Sequence, residues 1–249
     1  MAVKAGPLVL DRSRQVAVQV YEILKERILS VSLEPGAVLS RSVLQEEFGV
    51  SQTPVRDALL RLQEDGLVDI FPQYATRVSR IDVNHARQAQ FLRLSVELEA
   101  IRRLSLQAPK ETADAMEMVL RQQEAVADQS TYDRFDSLDR EFHRILYEGS
   151  GNSLLWRVIR DQSGHLDRLR RLNLPMPGKM ISLLADHRRI IDAIRLGDVE
   201  AAAKALRVHL SGTLSIIDVI REKYPDFVQD GMPLSSGLVM HGDRSISAK

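Results

Sequence analysis

The chain has 249 residues, 44% of them apolar, which is longer than the commonest single domain and enough for a sizeable core, so two domains are expected. Lys+Arg and Asp+Glu number 34 each, so overall charge argues for no acidic partner, neither nucleic acid nor membrane surface, and any such function must rest on local placement. The absence of cysteine excludes disulfides and thiolate metal ligands, and with no signal-peptide core and no apolar run near the roughly 18 residues of a membrane span, a cytoplasmic protein with no membrane partner is expected.

Residues 1–11 read as a short flexible arm. From Ser13 to Ser30, Val16, Val20, Ile23, Leu24 and Ile28 recur at helical spacing, and Glu34-Pro35-Gly36 breaks the pattern. A short helix follows from Ser40 to Phe48, ending at Gly49, the residue suited to a left-handed terminus. The third helix runs from Ser51 to Gly66 with Pro54 in its first turn and Val55, Ala58, Leu59 and Leu62 as its buried stripe. Two β-type segments, 67–71 and 76–79, joined by Pro72-Gln73-Tyr74-Ala75, read as a hairpin.

Helix, short helix, helix and hairpin describe a winged helix-turn-helix over residues 12–81, with SQTPVRDALLRLQEDGLV as the recognition helix. Such helices meet base edges with their first residues, which must carry donors and acceptors. Ser51, Gln52 and Thr53 supply them, and Arg56, one turn on, suits a phosphate or a guanine. Arg41 on the second helix and Tyr74, Thr76 and Arg77 on the wing complete the expected DNA-binding set. The competing reading is a protein-interaction module, because residues 11–80 hold nine basic against ten acidic side chains.

Beyond Asp82 the texture is helical, with breaks near Pro109, Gln129-Ser130, Gly149-Ser150-Gly151-Asn152, Pro175-Met176-Pro177-Gly178 and Gly197-Asp198. About six helices are expected: 83–107, 110–128, 131–148, 153–172, 179–196 and 198–223. The fold class is therefore mainly α: a winged helix-turn-helix, an all-helical bundle over 82–224, and a mobile tail over 225–249.

VSQTPVRDALLRLQEDGLV resembles the signature helix of GntR-family transcriptional regulators, usually a variant of VSRTPVREALRRLEAEGLV. The helical part resembles the ligand-binding domain of the FadR-type subfamily, called FCD. It matches at Arg93-x-x-Val96-Glu97, Asp139-Arg140-Glu141-Phe142-His143, Ser150-Gly151-Asn152, His187-x-x-Ile190-x-x-Ala193-Ile194-x-x-Gly197-Asp198 and Ala205-x-x-x-His209-Leu210. The similarity covers about residues 14–224. Gln52 stands where many relatives carry arginine, and Tyr74-Ala75 stands at a wing tip where glycine is common.

Asp139 and His143 are four apart on a predicted helix, so their Cβ atoms lie about 6 Å apart on one face. His187 and His209 fall on two later helices, each within an apolar pattern. One carboxylate and three imidazoles suit zinc, nickel, iron or manganese with positions left open, and the alternative is hydrogen-bonded core histidines. The resemblance implies that the four are the subfamily's metal ligands. It also implies that Arg93 lies in the same cavity as an effector-binding residue, the alternative being an ion pair with Glu97, four residues on.

The function expected is a homodimeric repressor of a catabolic or transport operon that binds a double-stranded DNA operator, with a small organic acid at a divalent metal as its signal and no catalytic residue. Symmetry would double the few base pairs one short helix reads. The alternatives are a metal-dependent helical hydrolase and a regulator whose metal is purely structural.

Overall fold

A computed structural model describes residues 10–11, 13–127 and 132–230. Most of the expected arm, the break at Gln129-Ser130 and the tail beyond 230 lie outside these residues.

The first three helices, α1 (Val16–Leu29), α2 (Arg41–Phe48) and α3 (Gln52–Glu64), lead into a hairpin of β1 (Val68–Phe71) and β2 (Ala75–Val78). The strands pair antiparallel, Val68 opposite Val78 and Phe71 opposite Ala75. Helix α2 is capped by Ser40, whose hydroxyl accepts from the Val43 N–H, and ends at Gly49 with φ +62°. Pro54 costs α3 nothing, because first-turn N–H groups have no partner within the helix. Val20, Leu24 and Ile28 of α1 close over Leu44, Phe48, Val55, Leu59 and Leu62, the stripes that set the helix spacing.

The helical part comprises α4 (Val83–Gln107), α5 (Lys110–Ala125), α6 (Tyr132–Gly149), α7 (Ser153–Gln162), α8 (Gly164–Asn173), α9 (Lys179–Leu196), α10 (Val199–Ser211) and α11 (Ile217–Lys223), with a 3₁₀ turn at Leu214–Ile216. Two expected helices are divided. The segment 153–172 breaks at Ser163, and Gly164 then packs so close to the first domain that a Cβ there would lie 2.8 Å from the Leu67 side chain. The segment 198–223 breaks after Ser211, where main-chain carbonyls take outside donors: Gln90 Nε2 reaches Leu210 O at 2.6 Å and Asn173 Nδ2 reaches Gly212 O at 3.4 Å. Helical periodicity continues across both breaks, so neither shows in the residue pattern.

The expected mobile tail is also corrected at its start. A strand β3 (Ile81–Asp82) pairs parallel with β4 (Val228–Gln229), and Ile81 N donates to Phe227 O at 2.7 Å. Val228 joins Ile81, Val83, Leu166, Leu169, Ile217 and Ile220 in one small core, and this burial holds the segment. The main core of the helical part gathers α4, α5, α6, α9 and α10 around Ile101, Met116, Phe142, Leu146, Ile190 and Leu206.

Helix α8 carries the joint between the two parts. Arg168, fully buried, donates to Ser79 O at 2.6 Å and to Ser79 Oγ at 3.2 Å. His165 Nδ1 accepts from Asp82 N at 2.9 Å, and Arg171 Nε donates to Ser30 O at 3.2 Å.

Candidate DNA-binding surface and candidate metal centre

The stripe Val55, Ala58, Leu59 and Leu62 turns one face of α3 into the core and so fixes what the other face presents. Ser51, Gln52, Thr53 and Arg56 are all exposed, and the Ser51 side chain makes no capping hydrogen bond, which leaves its hydroxyl available. Arg41 is exposed at the start of α2 and, with Tyr74, lines a groove between α2 and the wing. Tyr74 stands at the tip of the hairpin, 82% exposed. The turn beneath it closes by Tyr74 N to Phe71 O at 3.1 Å and puts Gln73 at φ +60°, where glycine or asparagine is the easier choice.

Thr76 differs from the expectation. Successive strand residues face opposite sides, so Thr76 and Arg77 cannot both look outward. Thr76 is buried at 5% exposure, and Arg77, half-buried, donates to Gly36 O at 3.2 Å.

The second constellation is assembled from three helices. Asp139 and His143 of α6, His187 of α9 and His209 of α10 are all buried, and each offers one ligand atom, all within 4.8 Å of one another. His143 Nε2 is 3.0 Å from His209 Nε2, and His187 Nε2 is 3.5 Å from Asp139 Oδ1. A tetrahedral ion with bonds of about 2.05 Å holds its ligands roughly 3.3 Å apart, so the donor set fits such an ion with small adjustments. His187 Nε2 and Asp139 Oδ1 have no hydrogen-bond partner, which a buried polar atom rarely tolerates without an ion or water to satisfy it.

Two of the imidazoles have a polar group close behind them: Glu97 Oε2 lies 2.9 Å from His143 Nδ1 and Gln123 Oε1 2.8 Å from His187 Nδ1, whereas Asp186 Oδ2, 3.8 Å from His209 Nδ1, is beyond hydrogen-bond distance. Phe142 stacks on the His187 ring with centroids 3.8 Å apart. Burial, reinforced by the Arg93 charge, pushes the His143 imidazole down to about 4 despite Glu97 beside it, and burial holds His187 well below its ordinary value. Both are therefore neutral, as ligands must be. Burial works to raise Asp139, but the charge of Arg170 on α8, whose guanidinium contacts Asp139, outweighs it and keeps the carboxylate ionised.

Arg93 is buried, and its Nε donates to Glu97 Oε1 at 2.7 Å, so the ion pair weighed in the sequence is formed. The chain Arg93–Glu97–His143 places the arginine behind a ligand. The cavity beside Asp139 draws its cations from Arg170 and Lys179 instead. Sequence reasoning passed over Gln123, Asp186, Arg170 and Lys179 here. A signal existed for Gln123, a polar residue continuing the apolar row Met116, Leu120 of α5. His165 is buried in the joint, and half-buried Trp156 packs on the main core. Asn152 sits at the start of α7, but its Nδ2 donates to Ser150 O and Oγ and does not cap the helix. Among the described residues no helix is long and apolar enough to cross a membrane.

Comparison with known proteins returns two families: "Bacterial regulatory proteins, gntR family" over residues 16–78 and "FCD domain" over residues 88–212. An uncharacterized HTH-type transcriptional regulator of Streptomyces ambofaciens is 37% identical over 83% of this chain and 87% of its own length. The HTH-type transcriptional repressor RspR of Escherichia coli K12 is 28% identical over 89% and 97%. Among solved structures, E. coli McbR/YncC superposes with a TM-score of 0.67 over 85% of this chain and 99% of its own, at 21% identity, a likeness of fold.

Proposed function

The chain belongs to the GntR family of bacterial regulatory proteins and carries an FCD domain, and from that premise we propose that it is a homodimeric repressor whose hold on its operator is set by a small carboxylate bound at a divalent metal in the helical domain. A DNA-binding transcriptional regulator is what the family is, so the hydrolase alternative falls. The observation that carries the finer reading is the buried set of Asp139, His143, His187 and His209 with their ligand atoms converging and a polar group close behind two of the three rings.

Zinc, nickel, manganese or iron would be held by those four side chains, and the metal would supply open positions that a carboxylate can occupy. Glu97 and Gln123 keep the Nε2 atoms of His143 and His187 turned inward. Arg93 would act on the same site from behind, through Glu97, which it pairs with beside His143. Arg41, Ser51, Gln52, Thr53, Arg56, Tyr74 and Arg77 form the operator surface. One copy reads few base pairs, and a two-fold dimer doubles them. Phe91 of α4 and Leu154 and Val158 of α7 are exposed apolar side chains that a second copy would cover. The repressor reading leans on RspR, a relative that is named as one.

Coupling requires the effector to favour one conformation of the joint over another. Helix α8 touches both sides, with Arg170 on Asp139 and Arg168 on Ser79.

The test is selection of DNA by the full-length protein from a random pool, followed by anisotropy titration of the enriched site with metal-stripped and zinc-loaded protein, each with and without small carboxylic acids. A palindromic site released only when zinc and one acid are both present is the expected result. A site bound equally in all four states overturns the sensor and leaves a structural ion.

A further inference from the structure

The cavity that opens beside Asp139 between α6, α8 and α9 is lined on its polar side by Asp136, Asp139, Arg170, Asn173, Lys179 and Thr213. Its two cations are in opposite circumstances. Arg170 is surrounded by acids: it contacts Asp139, lies 3.7 Å from Asp167 and feels Asp136. Lys179 has no side-chain hydrogen bond and no ion pair among the described residues, although it is about half-buried. Burial lowers its pKa, and Asp186 and Asp139 pull it back only in part.

A half-buried ammonium with no partner is unfavourable unless something else compensates it. The chain nevertheless makes room for it. Residue 212 is glycine, and a Cβ there would stand 2.8 Å from Lys179 Nζ, so even alanine would push the ammonium aside. Aspartates hold every other cation at the cavity, and Lys179 alone among the lining residues has a full charge to spare.

We propose that Lys179 receives a second anionic group of the effector, so that the ligand class is a small dicarboxylate, one carboxylate on the metal held by the histidine cluster and the other on the Lys179 ammonium. This rests on the metal and effector reading above. A monocarboxylate would satisfy the metal and leave Lys179 as it is. A dicarboxylate adds a charge-assisted hydrogen bond in a partly desolvated site, which sets the expected selectivity at about tenfold or more.

The experiment is isothermal titration of the full-length, zinc-loaded protein with acetate and with the series malonate, succinate and glutarate, after zinc stoichiometry has been measured. At least one dicarboxylate is expected to bind about tenfold tighter than acetate. Lys179→Met should erase that ratio while leaving zinc content and acetate affinity unchanged, and Lys179→Arg should keep most of it. Gly212→Ala should reproduce part of the loss by displacing the ammonium. Zinc binding with no dicarboxylate preference, or a Lys179→Met variant that weakens acetate and dicarboxylates alike, overturns this inference alone. Failure to bind zinc overturns the metal reading and the inference with it.

Discussion

Ser51, Gln52, Thr53 and Arg56 stand exposed along the first turns of one helix, whereas Asp139, His143, His187 and His209 are buried and come from three. The first set needs only a firm scaffold behind it, which Val55, Leu59 and Leu62 provide, and its side chains stay free for an outside partner. The second set is part of its domain's interior: His143 and His187 each meet a residue from another helix, and Phe142 lies both on the His187 ring and in the main core. Side-chain availability and stability are therefore separable on the exposed face of α3 and joined at the cluster.

The sharpest break of that comparison is His187→Ala. Removing one of four ligands should lower zinc affinity by more than about a hundredfold and abolish most of the thermal stabilisation that zinc confers, read by metal titration and by melting with and without zinc. DNA affinity without effector should hardly change. A variant that keeps zinc would show that His187 is a core histidine.

Arg168→Ala tests the joint between the two regions. The guanidinium is fully buried with no carboxylate partner, and its loss leaves Ser79 O without its donor and opens a cavity. The cost should be about 3 kcal/mol in urea unfolding. Arg168→Lys should not restore it, because an ammonium cannot reach Ser79 and His165 in one fork. A loss below about 1 kcal/mol would place the strength of the joint in the β3–β4 pairing instead.

The same contrast explains what could be read from the residues. The recognition helix was legible because its donors, its proline and its apolar stripe are contiguous, and local periodicity carries them. The long helices 83–107 and 179–196 were legible at both ends, since Asp82 caps one start and Gly197 closes the other stop with φ +68°. Asp139 and His143 shared a visible face, but nothing in the spacing tied His187 and His209 to them, and the family resemblance did that. The breaks at Ser163 and Gly212 were invisible because their causes, Leu67 against Gly164 and Asn173 on Gly212 O, are distant in sequence. The burial of Thr76 follows from strand alternation, which the residue choice overlooked, and β4 was read as tail because two residues make no pattern. Lys179 and Arg170 could not be assigned to the cavity before the path of α8 and α9 was known.

At the exposed surface the expected effects are smaller and confined to binding. Arg56→Ala should weaken operator binding by about 1–2 kcal/mol and reduce the salt slope by about one, with unfolding unchanged within about 0.5 kcal/mol. Thr76→Val, at a buried position of the wing, should leave operator affinity within about twofold. Anisotropy at several salt concentrations checks both, and equal losses from the two would return Thr76 to the contact surface.

His165 offers the finest test, because it lies in the joint and its effect is visible only against pH. Burial, then the neighbouring Arg168 cation and His85, push its imidazole down to about 2, against an ordinary value of about 6.5. Its Nδ1 accepts from Asp82 N and faces Arg168 Nη2 at 2.9 Å, so that nitrogen has no room for a proton. Below pH 6.5 the unfolded chain therefore takes up a proton that the folded chain refuses. The stability involved is present above pH 6.5 and is lost as pH falls from there toward 2, at up to about 1.4 kcal/mol per pH unit. His165→Gln keeps an acceptor for Asp82 N and removes the titration. Metal-stripped wild type should lose about 1.2 kcal/mol more than the variant between pH 7.0 and 5.5, measured by urea unfolding. Because His143 and His187 are common to both proteins, their titration cancels in the difference. Equal losses would mean that the joint opens enough at pH 5.5 for His165 to protonate in place, and the clasp around Arg168 would then be the weak point of the interface between the two domains.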